Sequence, residues 1–256
     1  MIFETHAHYE DERFSKDREE LLQQFPEAGI DYAVNVGSSM ETSRQCMELA
    51  QQYDFIYAAV GVHPDHVAAL TDADMEQLAR WCHAPGVVAL GEIGLDYYYE
   101  EPERSIQQEW FARQLEVAYR EHMPVIVHSR DAAEDTMRIL KEHHGVELSG
   151  IIHCFGYSKE MAAEFVKMGF DIGVGGVVTF KNARRLVEVV EATDLSHIVL
   201  ETDCPYMAPV PHRGERNSSL FIPHIAEKIA QIKGVSVETV YEQTMANARR
   251  IYRINQ

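Results

Sequence analysis

Short continuous apolar runs alternate with longer amphipathic runs along the whole chain. The apolar runs cover residues 2–6, 32–36, 56–62, 87–92, 125–128, 151–153, 170–174 and 198–201. They do not alternate apolar and polar positions, so they read as strands buried on both faces of a parallel sheet. Helical patterns fill the gaps. In 107–122, Trp110, Phe111, Leu115, Ala118 and Tyr119 recur at helical spacing. Asp131 and Glu134 have the spacing of a capping box, opening a helix with Met137 and Leu140 on its apolar face. A helix over 161–168 ends at Gly169, and two more cover 217–230 and 236–251. Strand–helix alternation predicts a parallel sheet. Eight such units in 256 residues predict a closed (β/α)8 TIM barrel, a single domain over 1–256 with the last two helices packed outside it.

Composition narrows the functional classes. The chain is 46% hydrophobic and 25% charged, ordinary for a globular protein. Its formal net charge of −18 argues against a protein that coats duplex nucleic acid with a basic face. It leaves room for an enzyme that grips phosphates through metal ions. Cys46, Cys82, Cys154 and Cys204 form no CxxC pair, which points to a reducing compartment and a cytoplasmic location. No basic leader opens the chain, and no run approaches the ~18 apolar residues of a membrane span. No membrane association and no obligate protein partner are expected.

The informative feature is where potential metal ligands fall. His6 and His8 close the first apolar run. Glu92 ends the fourth, His128 the fifth and His153 the sixth, and Asp203 lies just past the eighth. Residues i and i+2 of a strand face the same way, so His6 and His8 share a side. A barrel of this class builds its site at the C-terminal ends of its strands. All six groups are therefore expected to converge at one barrel mouth. Four imidazoles and two carboxylates suffice for two divalent ions sharing a bridging group.

Six stretches carry a resemblance: Glu4-Thr5-His6-Ala7-His8, Gly61-Val62-His63-Pro64, Gly91-Glu92-Ile93-Gly94-Leu95-Asp96-Tyr97, Pro124-Val125-Ile126-Val127-His128-Ser129-Arg130, Ile152-His153-Cys154-Phe155 and Glu201-Thr202-Asp203-Cys204-Pro205-Tyr206. Together with Arg213-Gly214 and Arg216-Asn217, the sequence resembles the TatD family of metal-dependent hydrolases, within the wider amidohydrolase-like barrels. The resemblance implies divalent-metal-dependent DNase activity, typically exonucleolytic. It implies that His6, His8, Glu92 and Asp203 hold one ion and Glu92, His128 and His153 the other, with Mg²⁺, Mn²⁺ or Zn²⁺ as the metal. Two positions depart from the family pattern. Glu4 stands where Asp is usual, and Ser218-Ser219 where an acidic residue and Pro are usual.

In the chemistry these groups allow, two ions clamp a phosphate oxygen and acidify a bridging water. Glu92 bridges them, and Asp203 ligates and takes the water's proton. His63 either touches the phosphate or metal-bound water, or orients its loop by a hydrogen bond. Arg130 either forks onto a phosphate or pairs with Asp131 or Asp96. Arg213 and Arg216 add positive charge. Gly173, Gly175 and Gly176 either bind phosphate through backbone N–H groups or serve a tight turn. Tyr97, Tyr98 and Tyr99 either stack a base or anchor a loop, and Glu201 either supports a ligand or packs in its strand. Cys154 and Cys204 are expected to point away from the mouth. The favoured function is a metal-dependent hydrolase of DNA phosphodiester bonds, acting on ends or single strands. Two alternatives stand beside it: a hydrolase of a carboxyl ester, aminoacyl ester or amide, and a non-catalytic metal-binding protein. No lysine occupies a strand-end motif, which disfavours amidohydrolases that use a carboxylated lysine there.

Overall fold

The computed structural model describes residues 1–143 and 148–254. Its residues group into two compact units, Met1–Asn35 with Cys154–Gln256, and Val36–His153. The first unit contains β1 (Ile2–Ala7), α1 (Arg18–Gln23) and nearly all of β2 (Ile30–Val36). It continues with α6 (Lys159–Lys167), β7 (Phe170–Val174), α7 (Arg184–Ala192), β8 (Ile198–Leu200), α8 (Ile222–Lys233) and α9 (Val237–Tyr252). The second contains α2 (Met40–Gln52), β3 (Ile56–Val60), α3 (Asp72–Trp81), β4 (Val87–Asp96), α4 (Arg104–Arg120), β5 (Val125–Arg130), α5 (Ala133–His143) and β6 (Gly150–Ile152). Each of the eight apolar runs became a strand. The strand order follows the chain order β1 to β8, which with the helix after each strand makes the fold a (β/α)8 TIM barrel.

In the first unit β1 pairs in parallel with β2, aligning Ile2 with Ile30 and Ala7 with Asn35. β7 pairs with β8, aligning Ile172 with Ile198. A parallel bridge joins Ala7 to Cys204, and Asp203 N donates to His6 O at 2.9 Å. The chain after the last strand is thus pinned to the end of the first. Every residue of β1, β7 and β8 is buried, as unbroken apolar runs require.

In the second unit β4 pairs with β3 and β5, and β5 with β6. β4 is longer than its apolar run indicates and carries on to Asp96, opposite Arg130. Trp110, Phe111, Leu115 and Ala118 of α4 are buried, but Tyr119 is 48% exposed and lies off the apolar face. Two glutamines share that buried face. Gln114 accepts from Val62 N at 2.9 Å and donates to Val62 O at 3.0 Å. Gln107 does the same for Asp96, at 2.9 Å each way. A buried side-chain amide that satisfies both backbone groups of one residue fixes that residue's position. α4 in this way sets the chain just before His63 and the end of β4.

Helix boundaries show three local corrections. α5 starts at Ala133, and Asp131 lies before it with φ 53°, so it does not cap the helix. The helix expected from 217 begins at Ile222, because Asn217 is drawn aside to donate to Thr202 O and Tyr206 O at 2.9 and 2.6 Å. The helix expected from 161 begins at Lys159, after the Ser158 cap. It ends as expected before Gly169, whose φ of 90° suits only glycine.

Candidate metal centre

The expected site residues fall into two sets, one in each unit. In the first, His6 is the last residue but one of β1, His8 follows that strand and Asp203 follows β8. His6 Nε2 lies 3.1 Å from His8 Nε2, and Asp203 Oδ1 lies 3.7 and 3.3 Å from those two nitrogens. Ligands at about 2.1 Å around a tetrahedral zinc-like ion stand about 3.4 Å apart. The three donor atoms therefore form one face of such a coordination shell, and the residues fit a divalent ion.

Surrounding groups hold these ligands in place. His8 Nδ1 lies 3.4 Å from Glu10 Oε1, and Asn35 Nδ2 donates to Glu10 Oε2 at 2.7 Å. A carboxylate on the outer ring nitrogen orients an imidazole and raises its basicity. Burial alone lowers the His8 pKa, but the Asp203 and Glu10 carboxylates outweigh it and raise the value well above the usual imidazole range. Glu4, fully buried, accepts from His6 N at 3.1 Å, Thr202 N at 2.9 Å and Thr202 Oγ1 at 2.6 Å. One carboxylate thus ties together the two backbone segments that carry His6 and Asp203. Burial pushes its carboxyl up to about 7, against the pull of those hydrogen bonds.

In the second unit Glu92 Oε1 is the hub. His128 Nδ1 lies 2.8 Å from it, His153 Nε2 3.1 Å and His63 Nε2 3.8 Å. His128 uses its other nitrogen on Asp96 Oδ2 at 2.9 Å. Burial opposes charge on His128, but Asp96 and then Glu92 raise its pKa. Burial also works against ionisation of Asp96, and His128 overcomes it and lowers the Asp96 value. His63 goes the other way. Burial, with His128 beside it, drives its pKa down to about 3, so the ring is neutral at pH 7. Its Nδ1 accepts from Asp65 N at 3.2 Å, which leaves the proton on Nε2. The loop-orienting bond therefore exists, and it coexists with a donor aimed towards Glu92.

Other candidates have structural partners. Arg130 is 46% exposed, 4.0 Å from Asp96 and stacked over Tyr98 at 3.7 Å. Tyr98 and Tyr99 are exposed, whereas Tyr97 is part-buried and donates to Asp135 at 2.8 Å. Arg216 forks onto Asp17 at 2.5 and 2.8 Å, and Arg213 lies over Phe180. Gly173 is needed for close packing: a Cβ there would sit 2.3 Å from Glu201 Oε2. Glu201 is fully buried and accepts from Cys154 N at 2.6 Å. Cys204 is buried as expected, but Cys154 lines the same cavity as Asp203. Its φ of 45° departs from the extended backbone on which strand alternation depends.

Sequence reasoning did not single out Glu10 or Asp96 as supports of the histidines. Both stand at even spacing from ligands in the sequence, Glu10 after His6 and His8, Asp96 after Glu92, although Glu10 lies in the turn past β1. That spacing was the available signal.

A family model described as TatD related DNase matches residues 3–253. The uncharacterized metal-dependent hydrolase YabD of Bacillus subtilis is 40% identical over 255 residues, spanning 100% of both chains. The uncharacterized metal-dependent hydrolase YcfH of Escherichia coli is 35% identical, over 100% of this chain and 97% of its own. The crystal structure of YjjV, a TatD homolog from Escherichia coli, superposes with a TM-score of 0.93 at 29% identity, covering 99% of this chain and 98% of that one.

Proposed function

The chain belongs to the TatD-related DNase family and is a metal-dependent hydrolase; from that premise we propose that it cleaves phosphodiester bonds in DNA, at ends or in single strands. The observation that carries the reading is the convergence of His6, His8 and Asp203 donor atoms at 3.1–3.7 Å, in a family described by DNase activity. The reading takes two divalent ions, with His6, His8 and Asp203 serving one and Glu92, His128 and His153 the other. Bound divalent ions polarise a phosphoryl oxygen and acidify the attacking water.

The residues supply the rest. Asp203 accepts the water's proton, since its second carboxylate oxygen is not needed for ligation. Its side chain keeps 14% exposure, enough to reach solvent. Glu10 and Asp96 hold the outer nitrogens of His8 and His128. His63, neutral with its proton on Nε2, donates to a phosphoryl oxygen without adding charge. Arg130 on its Tyr98 platform pairs with a second oxygen. No serine or cysteine nucleophile is required.

The test is incubation of chelator-stripped protein with end-labelled single- and double-stranded oligonucleotides across Mg²⁺, Mn²⁺ and Zn²⁺. Metal-dependent release of labelled nucleotides is the expected result. Bound metal by elemental analysis, with every oligonucleotide intact, overturns the DNA reading. Turnover of an aminoacyl or carboxyl ester by that same protein directs it to the ester alternative.

A further inference from the structure

Two cavities in the first unit share a wall. One, of about 190 Å³, opens beside Asp203 and is walled by Phe155, Val177, Leu186 and Met207, with Glu201 also lining it. The second, of about 640 Å³, also reaches Phe155, Gly156, Val177 and Leu186, and extends to the side chains of α6 and α7. Its far wall carries Lys159, Arg184 and Arg185, together with Glu160 and Glu188. Arg184 is taken by Glu188 at 2.9 Å. Lys159 and Arg185 are exposed and make no ion pair or side-chain hydrogen bond with any described residue.

Two cations without an ion pair on one cavity wall stand out in a chain with 23 basic and 41 acidic residues. A solvated pair like this adds little to stability. It raises the local potential where an anion can dock. The shared lining gives the anion an address: the cavity that carries Lys159 and Arg185 adjoins the one beside Asp203 across Phe155, Gly156, Val177 and Leu186. We infer that Lys159 and Arg185 form a second phosphate subsite, and that the apolar cavity holds the sugar or base between it and the bond being cut. The inference rests on the proposed phosphodiesterase function and deepens it. The substrate is a chain with more than one phosphate, gripped on the side of α6 and α7, not a lone phosphodiester.

The experiment compares the metal-loaded wild type, K159Q/R185Q and a charge-matched control, K141Q/K228Q, on octathymidylate and on the dinucleoside monophosphate TpT. The K159Q/R185Q pair is expected to raise KM for octathymidylate about tenfold while kcat holds, because the lost contacts are to phosphate. The slope of log KM against log salt falls by about 1.4, at ~0.7 per single-strand phosphate contact. On TpT the same pair and the wild type share one KM, and the control pair tracks the wild type throughout. An unchanged KM and salt slope on octathymidylate overturns the subsite, as does an equal loss on TpT. If the wild type cleaves neither substrate, the functional reading fails. The subsite is then decided by fluorescence anisotropy of fluorescein-labelled octathymidylate, where equal affinity of wild type and K159Q/R185Q overturns it and a roughly tenfold loss upholds it.

Discussion

Ser219 donates its hydroxyl to Glu4 Oε2 at 2.8 Å, deep in the protein. Glu4 and the second residue of the Ser218-Ser219 pair, both expected to depart from the TatD pattern, thus touch. Tyr9 completes the arrangement by donating to Ser219 Oγ at 2.8 Å and accepting from Ser219 N at 3.0 Å. The longer Glu4 side chain is met by the hydroxyl of Ser219, at a position where the expected Pro would carry no donor. Glu4 and Ser219 are therefore joined in one network that reaches the His6 backbone.

That network predicts a pH-dependent stability. Glu4 titrates near 7 in the folded protein, above its unfolded value of about 4.3. The folded state then holds a proton that the unfolded state has lost. Stability contributed by this group is full below pH ~4 and declines as pH rises through 7, by up to about 4 kcal/mol. Glu4→Gln in metal-free protein is expected to flatten that decline between pH 5 and 7.5 in urea unfolding. Ser219→Ala removes a bond that favours the ionised form, and extends the decline to higher pH. An E4Q curve with the wild-type slope assigns the decline to other groups.

Metal binding has its own pH dependence. Neutral imidazole is the ligand form, and His8 and His128 are shifted upward in the metal-free protein. Protons therefore compete with metal from above the ordinary histidine pKa of about 6.5. Metal affinity, followed by isothermal titration calorimetry, is expected to weaken steadily from pH 8 down to pH 5. Excess metal should restore part of the activity lost in mild acid. A flat affinity over that range removes the histidines from the ligand set.

Asp203→Asn and His128→Ala separate two roles. The asparagine keeps an oxygen beside His6 and His8 but loses the proton acceptor. It should retain most bound metal and lose turnover by about 10²–10⁴-fold. His128→Ala should lose metal first, and higher metal concentrations should recover part of its rate. Metal content and single-turnover cleavage distinguish them. An Asp203→Asn protein with full metal and near wild-type turnover moves the base role to another group.

Gly173→Ala probes packing behind the site. Its Cβ would meet Glu201 Oε2 at 2.3 Å, and Glu201 also accepts from Cys154 N. Overpacking against a buried carboxylate should cost about 1–3 kcal/mol, read as a lower midpoint in urea. A midpoint equal to that of the wild type shows that Glu201 can move aside.

The arrangement of strands and the placement of His6, His8, Glu92, His128, His153 and Asp203 at or beyond the ends of the apolar runs were legible in the sequence, because both follow from local rules. A strand buried on both faces must be apolar throughout, and a ligand that ends such a run is conspicuous. Glu10 and Asp96 were harder to recognise, since an acid at or beyond a strand end is ordinary until the imidazole it touches is known. Only the tertiary structure paired Glu4 with Ser219, 215 positions apart. It alone gave Gln107 and Gln114 their backbone partners and turned the apparent turn glycine Gly173 into room for Glu201. Cys154 shows the limit of the local rule, because strand alternation fails where φ turns positive. Periodicity is a property of the backbone and can be read along the chain. Hydrogen-bond partners and close packing belong to residues distant in sequence, and are decided when the chain folds.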